Sequence, residues 1–378
     1  MQYADTRRRG AAHLAAGLGL ALALSGCTLL GADDEPEPAG QNAPDGNAPD
    51  SAGETSETSP QNGEVVLVTH ESFTLPDEVL AGFTEQTGYQ VVVQASADAG
   101  ALTNQLVLTK GSPIGDAVFG IDNTFASRAV NEGVLTAYSP SDLPPEVSEH
   151  ALPGEAADYL TPIDYGDVCV NIDDAWFEAE GIEPPQTLAD LTDPTYADLF
   201  VTSGASSSSP GLAFLIATIG EFGADGWQDY WRDLMANGAV ITSGWSDSYG
   251  VDFTFSGGDR PIVLSYASSP PFTIPEGGEE PTTSALLDTC FRQVEYAGVL
   301  EGAANTEGAQ ALVDYLLTDE VQAAIPDAMF VYPVTDVELP ELWAQWADVA
   351  PEPIQVDPEL IEESREDWVR EWADITTG

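Results

Sequence analysis

The chain has 378 residues, with 64 acidic side chains against 10 Lys plus Arg and a formal net charge of −54. That length suits two domains and a sizeable core, and the scarcity of cations excludes a nucleic-acid partner, because phosphate contacts need Lys and Arg. The dispersed acids read as a heavily solvated surface suited to high salt, ahead of a device for attracting cationic ligands; screening near molar salt shortens the reach of surface charge to ~3 Å, so ligand capture would rest on close contacts.

The amino terminus comes first. "TRRRGAAHLAAGLGLALALSGC" has a basic segment, an apolar run and small residues before Cys27, which is the pattern of a secretory signal. The run is too short for a membrane span. "LSGC" resembles a bacterial lipoprotein box, so residues 1–26 are expected to be removed and Cys27 to carry lipid. The three consecutive Arg also permit a twin-arginine route. Residues 27–63, rich in Pro, Gly, Ser, Asn and acids, are expected to form a disordered tether. It would span roughly 30 Å as a flexible coil.

The body opens with "EVVLVTH", a buried-strand pattern, and "LPDEVLAGFTEQTG" follows with helical spacing and a terminating Gly88. "YQVVVQAS", "ALTNQLVLTKG" and "DAVFGID" continue as strand, helix and strand. This alternation predicts parallel strands with crossover helices. Ligands in such sheets collect at the carboxyl ends of strands, which singles out His70-Glu71-Ser72, Ser96-Ala97-Asp98 and Gly120-Ile121-Asp122-Asn123.

A long strand pattern, "LTPIDYGDVCVNI", crosses mid-chain, and a second α/β unit follows it. "PPQTLADLTD" reads as a short helix, "ADLFVTSG" as strand, and "SSPGLAFLIATIG" and "GWQDYWRDLMANG" as helices. "AVITSG" is strand, "DSYGVDFTFSGG" helical, "RPIVLSYASSP" and "TCFRQVEYAGVL" strands, and the tail helical. No internal repeat is present. The order predicts an α/β fold of two lobes, the second (165–267) inserted in the first (64–164 plus 268–378), with crossings near 164–167 and 265–269. Cys169 and Cys290 lie in strand patterns, and an exported location permits a bond between them; two buried free thiols are the alternative.

Three stretches carry candidate chemistry. In "SSSSPGLAFLIATIG", Ser208 or Ser209 can cap a helix with Pro210 in its first turn. Free N–H groups and hydroxyls there suit an anion, or plain capping. "TSGWSDSYG" holds Trp245 and Tyr249 among small residues with Asp247, and Tyr266 ends the strand "VLSY". Rings with carboxylates at strand ends, Asp122 among them, suit a flat organic cation, which an indole face attracts by ~0.5–2 kcal/mol. Trp245 and Tyr249 packed beneath their own loop are the alternative. "GWSDS" approaches a nucleophile elbow but has Ser248 in place of the second Gly. Past the leader only His70 and His150 remain, and no phosphate loop, zinc spacing or nicotinamide fingerprint occurs. The chain is therefore not expected to be an enzyme, with an exported serine hydrolase as the remote alternative, and no cofactor is expected.

Eight blocks in order resemble the thiamine-binding proteins of bacterial ABC importers, a branch of the type II periplasmic binding proteins. They are "HESF", "GDAVFGIDN", "PIDYGDVCVN", "SSPGLAFL", "GWSDSYG", "VLSYASSP", "AIPDAMFVYPV" and "EDWVREW", covering Glu64 to Trp372. His70 stands where the family has Tyr, and Phe330 where it has Trp. The resemblance implies a two-lobed fold with thiamine or its phosphate esters in the cleft between lobes. It implies Trp245, Tyr266 and Phe330 along the aromatic part, Asp122 near the cationic ring or pyrimidine amine, and Ser208, Ser209 and Gly211 at a phosphate or hydroxyethyl end. Glu71, Asp164 and Tyr165 would belong to the cleft wall or hinge. It also implies delivery to an ABC permease by a monomer, held at the membrane through Cys27. A polyamine such as spermidine, or ferric iron, are the alternative ligands on the same fold.

Overall fold

The computed structural model describes residues 63–141 and 143–377. The leader, Cys27 and the tether up to residue 62 lie outside the described residues. Gly63, expected as the last residue of the tether, instead opens the first strand.

In chain order the strands are β1 (Gly63–Thr69), β2 (Tyr89–Ala95), β3 (Ala117–Asp122), β4 (Leu135–Thr136), β5 (Thr161–Asp173), β6 (Phe200–Ser203), β7 (Val240–Thr242), β8 (Ile262–Tyr266), β9 (Thr283–Ala285), β10 (Phe291–Leu300) and β11 (Tyr332–Pro333). The helices are α1 (Asp77–Thr87), α2 (Ala99–Thr109), α3 (Ala126–Asn131), α4 (Asp174–Glu180), α5 (Ser209–Phe222), α6 (Trp227–Ala236), the single turn α7 (Trp245–Asp247), α8 (Thr306–Leu316), α9 (Asp319–Met329), α10 (Glu341–Trp346) and α11 (Pro358–Thr377). "PPQTLADLTD" forms 3₁₀ turns rather than a helix, and "DSYGVDFTFSGG" forms a π turn at Ser248–Asp252 followed by a 3₁₀ turn.

One sheet runs β2-β1-β3-β10-β5-β8-β6-β7. Its two ends are parallel units: β1 pairs with β2 and β3, and β6 pairs with β7 and β8. Each is the crossover arrangement that strand–helix alternation dictates. Between them lies an antiparallel pair. The first half of β5 pairs with β10 and its second half with β8 and β9. The architecture is the α/β fold of two-lobed type II periplasmic binding proteins, with β10 paired to β3 of one parallel unit and β5 to β8 of the other.

Local sequence explains the helices. Val79 and Phe83 bury one face of α1, and Gly88 ends it at φ 75°, a left-handed conformation that glycine adopts without Cβ strain. The α5 helix begins with Ser208 as cap and buries Ser209 through Ile219 without interruption, which makes it a central helix rather than a surface one. In the core the Trp231 indole N–H donates to Thr218 Oγ1 at 3.0 Å, and its ring meets Trp372 of α11 edge-on at 5.7 Å. A disulfide joins Cys169 to Cys290. It lies one step beyond the last ladder pair of β5 and β10, Val168 with Phe291.

Candidate ligand cleft

Strands that end side by side deliver their following residues to one place. The ends of β1 and β8, the middle of β10, the starts of α2 and α5, and the loop after β7 converge on a narrow cleft. Its cavity volume is about 40 Å³, below the range of small-molecule sites, so a ligand would have to part its walls to enter. Its lining includes His70, Ser72, Asp98, Ser209, Trp245, Tyr266 and Glu295, with no Lys or Arg.

Trp245 is held on three sides. Its indole N–H donates to Ser265 Oγ at 3.0 Å, and Ser265 is in turn 2.8 Å from Ser269 Oγ. Tyr249 stacks on it at 5.0 Å and 14°, while Tyr266 and Phe330 approach at 6.4 and 6.2 Å. One face of the indole is therefore covered by Tyr249, and the ring still lines the cleft. The Tyr266 hydroxyl donates to Gln293 Oε1 at 3.3 Å, and the Gln293 amide donates to Glu295 Oε1 at 3.2 Å. Gly166 makes room for this ring: a Cβ there would lie 2.7 Å from Tyr266 Cδ1.

The charged floor begins with Glu295 on β10. His70 Nε2 lies 3.4 Å from Glu295 Oε1, and His70 Nδ1 accepts from the Ser72 N–H. The ring sits tight against β3 because residue 120 is glycine; a Cβ there would come within 2.1 Å of His70 Cδ2. Burial alone would lower the His70 pKa, but Glu295, Asp98 and Glu71 outweigh it and the net shift is upward. Beneath Glu295, opposite it in the β5–β10 register, lies Asp164, with no exposed surface and neither oxygen bonded to an N–H or O–H of the chain. Burial first and then the Glu295 charge push its pKa well above the carboxylate range. Both causes favour the protonated form of Asp164.

Asp98 holds the two sides of the cleft together. As cap of α2 its Oδ1 accepts from Ala99 N at 2.7 Å, and from Ser209 N at 3.0 Å across the cleft. Its Oδ2 accepts from Trp245 N at 3.1 Å. The Ala101 N–H donates to the Ser207 carbonyl at 3.2 Å alongside.

The expected site residues divide accordingly. Trp245, Tyr266 and Ser209 line the cleft, and Tyr249 and Phe330 support the Trp245 ring from behind and beside it. Asp122 departs from expectation. Its side chain is fully buried and turned back on its own loop, where Oδ1 accepts from the Thr124 N–H and hydroxyl and from the Phe125 N–H. Burial outweighs these bonds and raises its pKa to about 7. Ser208 and Gly211 are likewise used internally: Ser208 Oγ caps Gly211 N and donates to Ser203 Oγ, and a Cβ at Gly211 would strike the Gly204 carbonyl at 2.5 Å. Glu71 is exposed beside the cleft mouth, its Oε1 3.2 Å from where a Cβ of Gly244 would lie. Asp247 is exposed and bonds to Ser243 Oγ. Tyr165 lies in a different cluster, stacked between His150 and Tyr332. Glu295 and Gln293 were not foreseen. The signal was available, since "FRQVEYAGVL" places Gln293 and Glu295 at period two, on one face of a strand that is apolar beyond them.

Residues 113–254 match the family described as bacterial extracellular solute-binding protein. The chain is similar over a longer span to named proteins. It is 26% identical to the thiamine-binding periplasmic protein of Salmonella typhimurium over 295 residues, 78% of this chain and 86% of that one. The Brucella abortus protein of the same name is 26% identical over 325 residues, 83% and 92% of the two chains. A solved periplasmic thiamin binding protein superposes with a TM-score of 0.70 at 24% identity, covering 83% of this chain and 96% of that one. By this likeness the chain is a solute-binding protein and not an enzyme. Among its described residues no three His, Cys, Asp or Glu side chains are grouped to hold a metal ion.

Proposed function

We propose that this solute-binding protein captures thiamine or a thiamine phosphate outside the cytoplasm and delivers it to an ABC permease. The observation that carries the reading is the Trp245 ring, pinned by Ser265 against a cleft that contains Asp98 and Glu295 and no Lys or Arg. Thiamine is a flat thiazolium cation joined to an aminopyrimidine and a hydroxyethyl arm. Indole and phenol faces attract such a cation most when water is excluded, and carboxylates add charge complementarity. The Gln293–Glu295–Asp164 chain offers acceptors for the pyrimidine amine, the part assigned to Asp122 from sequence.

The lobes would divide at 164–167 and 265–269, with 165–267 forming the second. Binding would favour a closed arrangement of the two lobes, and that shape would be what the permease reads. Lipid on Cys27 and the acidic tether would keep a monomeric carrier near the membrane. Titration calorimetry with thiamine, spermidine and ferric citrate, in dilute buffer and in molar salt, tests the assignment. Heat with thiamine and none with the other two is expected; no heat with thiamine in either buffer overturns it.

A further inference from the structure

The polar end of the cleft carries a detail that the general carrier reading does not use. A helix amino terminus attracts anions through its free N–H groups. In α5 those groups are already engaged: Ser209 N donates to Asp98 Oδ1 and Gly211 N to Ser208 Oγ. The Trp245 backbone N–H, which faces the same point, donates to Asp98 Oδ2. A protein carboxylate therefore stands where an anionic group of a ligand would have to bind.

The lone pairs of that carboxylate can be counted. A carboxylate offers about four acceptor positions. Asp98 uses two on Oδ1, for Ala99 N and Ser209 N, and one on Oδ2, for Trp245 N. One acceptor position remains on Oδ2. In the same cleft Ser209 Oγ is buried and without a hydrogen-bond partner. A vacant acceptor and an unused hydroxyl in one cleft are complementary to a ligand hydroxyl, which can donate to one and accept from the other. They are not complementary to a phosphate, which only accepts at its ionised oxygens and repels the carboxylate.

We propose that Asp98 is a specificity residue that reserves this end of the cleft for an uncharged hydroxyl arm and rejects the phosphorylated forms of the ligand. This rests on the thiamine reading above and narrows it to free thiamine. Like charges brought together in a closed site cost several kcal/mol. The same carboxylate bridges α2 to α5 and to the Trp245 loop, so displacing it with a phosphate would also release the contact that holds the cleft walls together.

Titration calorimetry of the full chain with thiamine and thiamine monophosphate reads the discrimination. The wild type should prefer thiamine by at least about 100-fold. Asp98→Asn and Asp98→Ser should bring that preference below about 10-fold, chiefly by gaining affinity for the monophosphate. Melting curves establish that the variants fold. A second readout needs neither thiamine nor a variant: amide resonances of Ser209 and Trp245 in the wild type, followed while inorganic phosphate is added. They should stay in place, and in Asp98→Ser they should shift. Equal wild-type affinity for thiamine and its monophosphate, or wild-type amides that move with inorganic phosphate, overturns the proposal. Failure of thiamine itself to bind would sink the carrier assignment, while the phosphate experiment would still decide the role of Asp98.

Discussion

The rings around Tyr165 and those around Trp245 differ in who supplies the positive charge. Around Tyr165, the rings of His150 and Tyr332 stack at 4.4 and 5.4 Å, and the Arg292 guanidinium sits 5.4 Å over the Tyr165 ring. Arg292 is in turn held by both oxygens of Asp167, at 2.8 and 2.9 Å. That cluster contains its own cation and its own counter-ion. Around Trp245 the rings lie 5.0 to 6.4 Å away, among the described residues no Lys or Arg lies over them, and the carboxylates lining the cleft with them are Asp98 and Glu295. Aromatic density alone thus says little about binding. The difference is electrostatic: one cluster is neutralised from within, while the other is complementary to a cation from outside.

This contrast can be broken by mutation. Trp245→Ala should weaken ligand binding by about 100-fold, whereas Tyr165→Ala should change it by less than about 3-fold, both by calorimetry. Equal losses would abolish the distinction. Arg292→Ala should do the reverse, leaving binding unchanged and costing about 2 kcal/mol of stability in denaturant unfolding, because Asp167 stays buried without its ion partner. Ser265→Ala removes the acceptor of the Trp245 indole N–H but leaves the stack on Tyr249; binding should fall by only about 5-fold.

The smallest effect concerns buried acid near Glu295, beneath the cleft floor. Burial raises Asp122 to about 7 and Asp164 well above its usual value. In the unfolded chain both ionise near the ordinary carboxylate value. Between that value and the folded one, the folded state holds protons that the unfolded state has released, so these two groups make stability fall as pH rises through the window. Asp164→Asn cannot ionise, so it should melt about 2–4 °C above wild type at pH 8 and close to it at pH 4. Identical offsets at both values would show that Asp164 does not titrate.

Much of this was readable in the chain. Strand and helix alternation located the two parallel units, because buried strands and amphipathic helices have distinct periods. Trp245 and Tyr266 were legible as large rings among small residues at strand ends, and they do share one cleft. The choice among acids was not legible. Asp98 and Asp122 both follow strands and both face a helix start, but Asp122 is followed by Thr124, whose N–H and hydroxyl bind it locally. Asp98 spends one bond on its own helix and two on residues more than a hundred positions away. Only the folded chain determines which carboxylate has distant partners.

The bond between Cys169 and Cys290 has a mechanical consequence. It fastens β5 to β10 at the end of their ladder, where the strands next to the two parallel units meet. Sliding one strand past the other would have to stretch a covalent link, so the pair is locked in register. The disulfide therefore behaves as a rivet, fixing the register in which the strand that carries Gln293 and Glu295 meets the strand that carries Asp164.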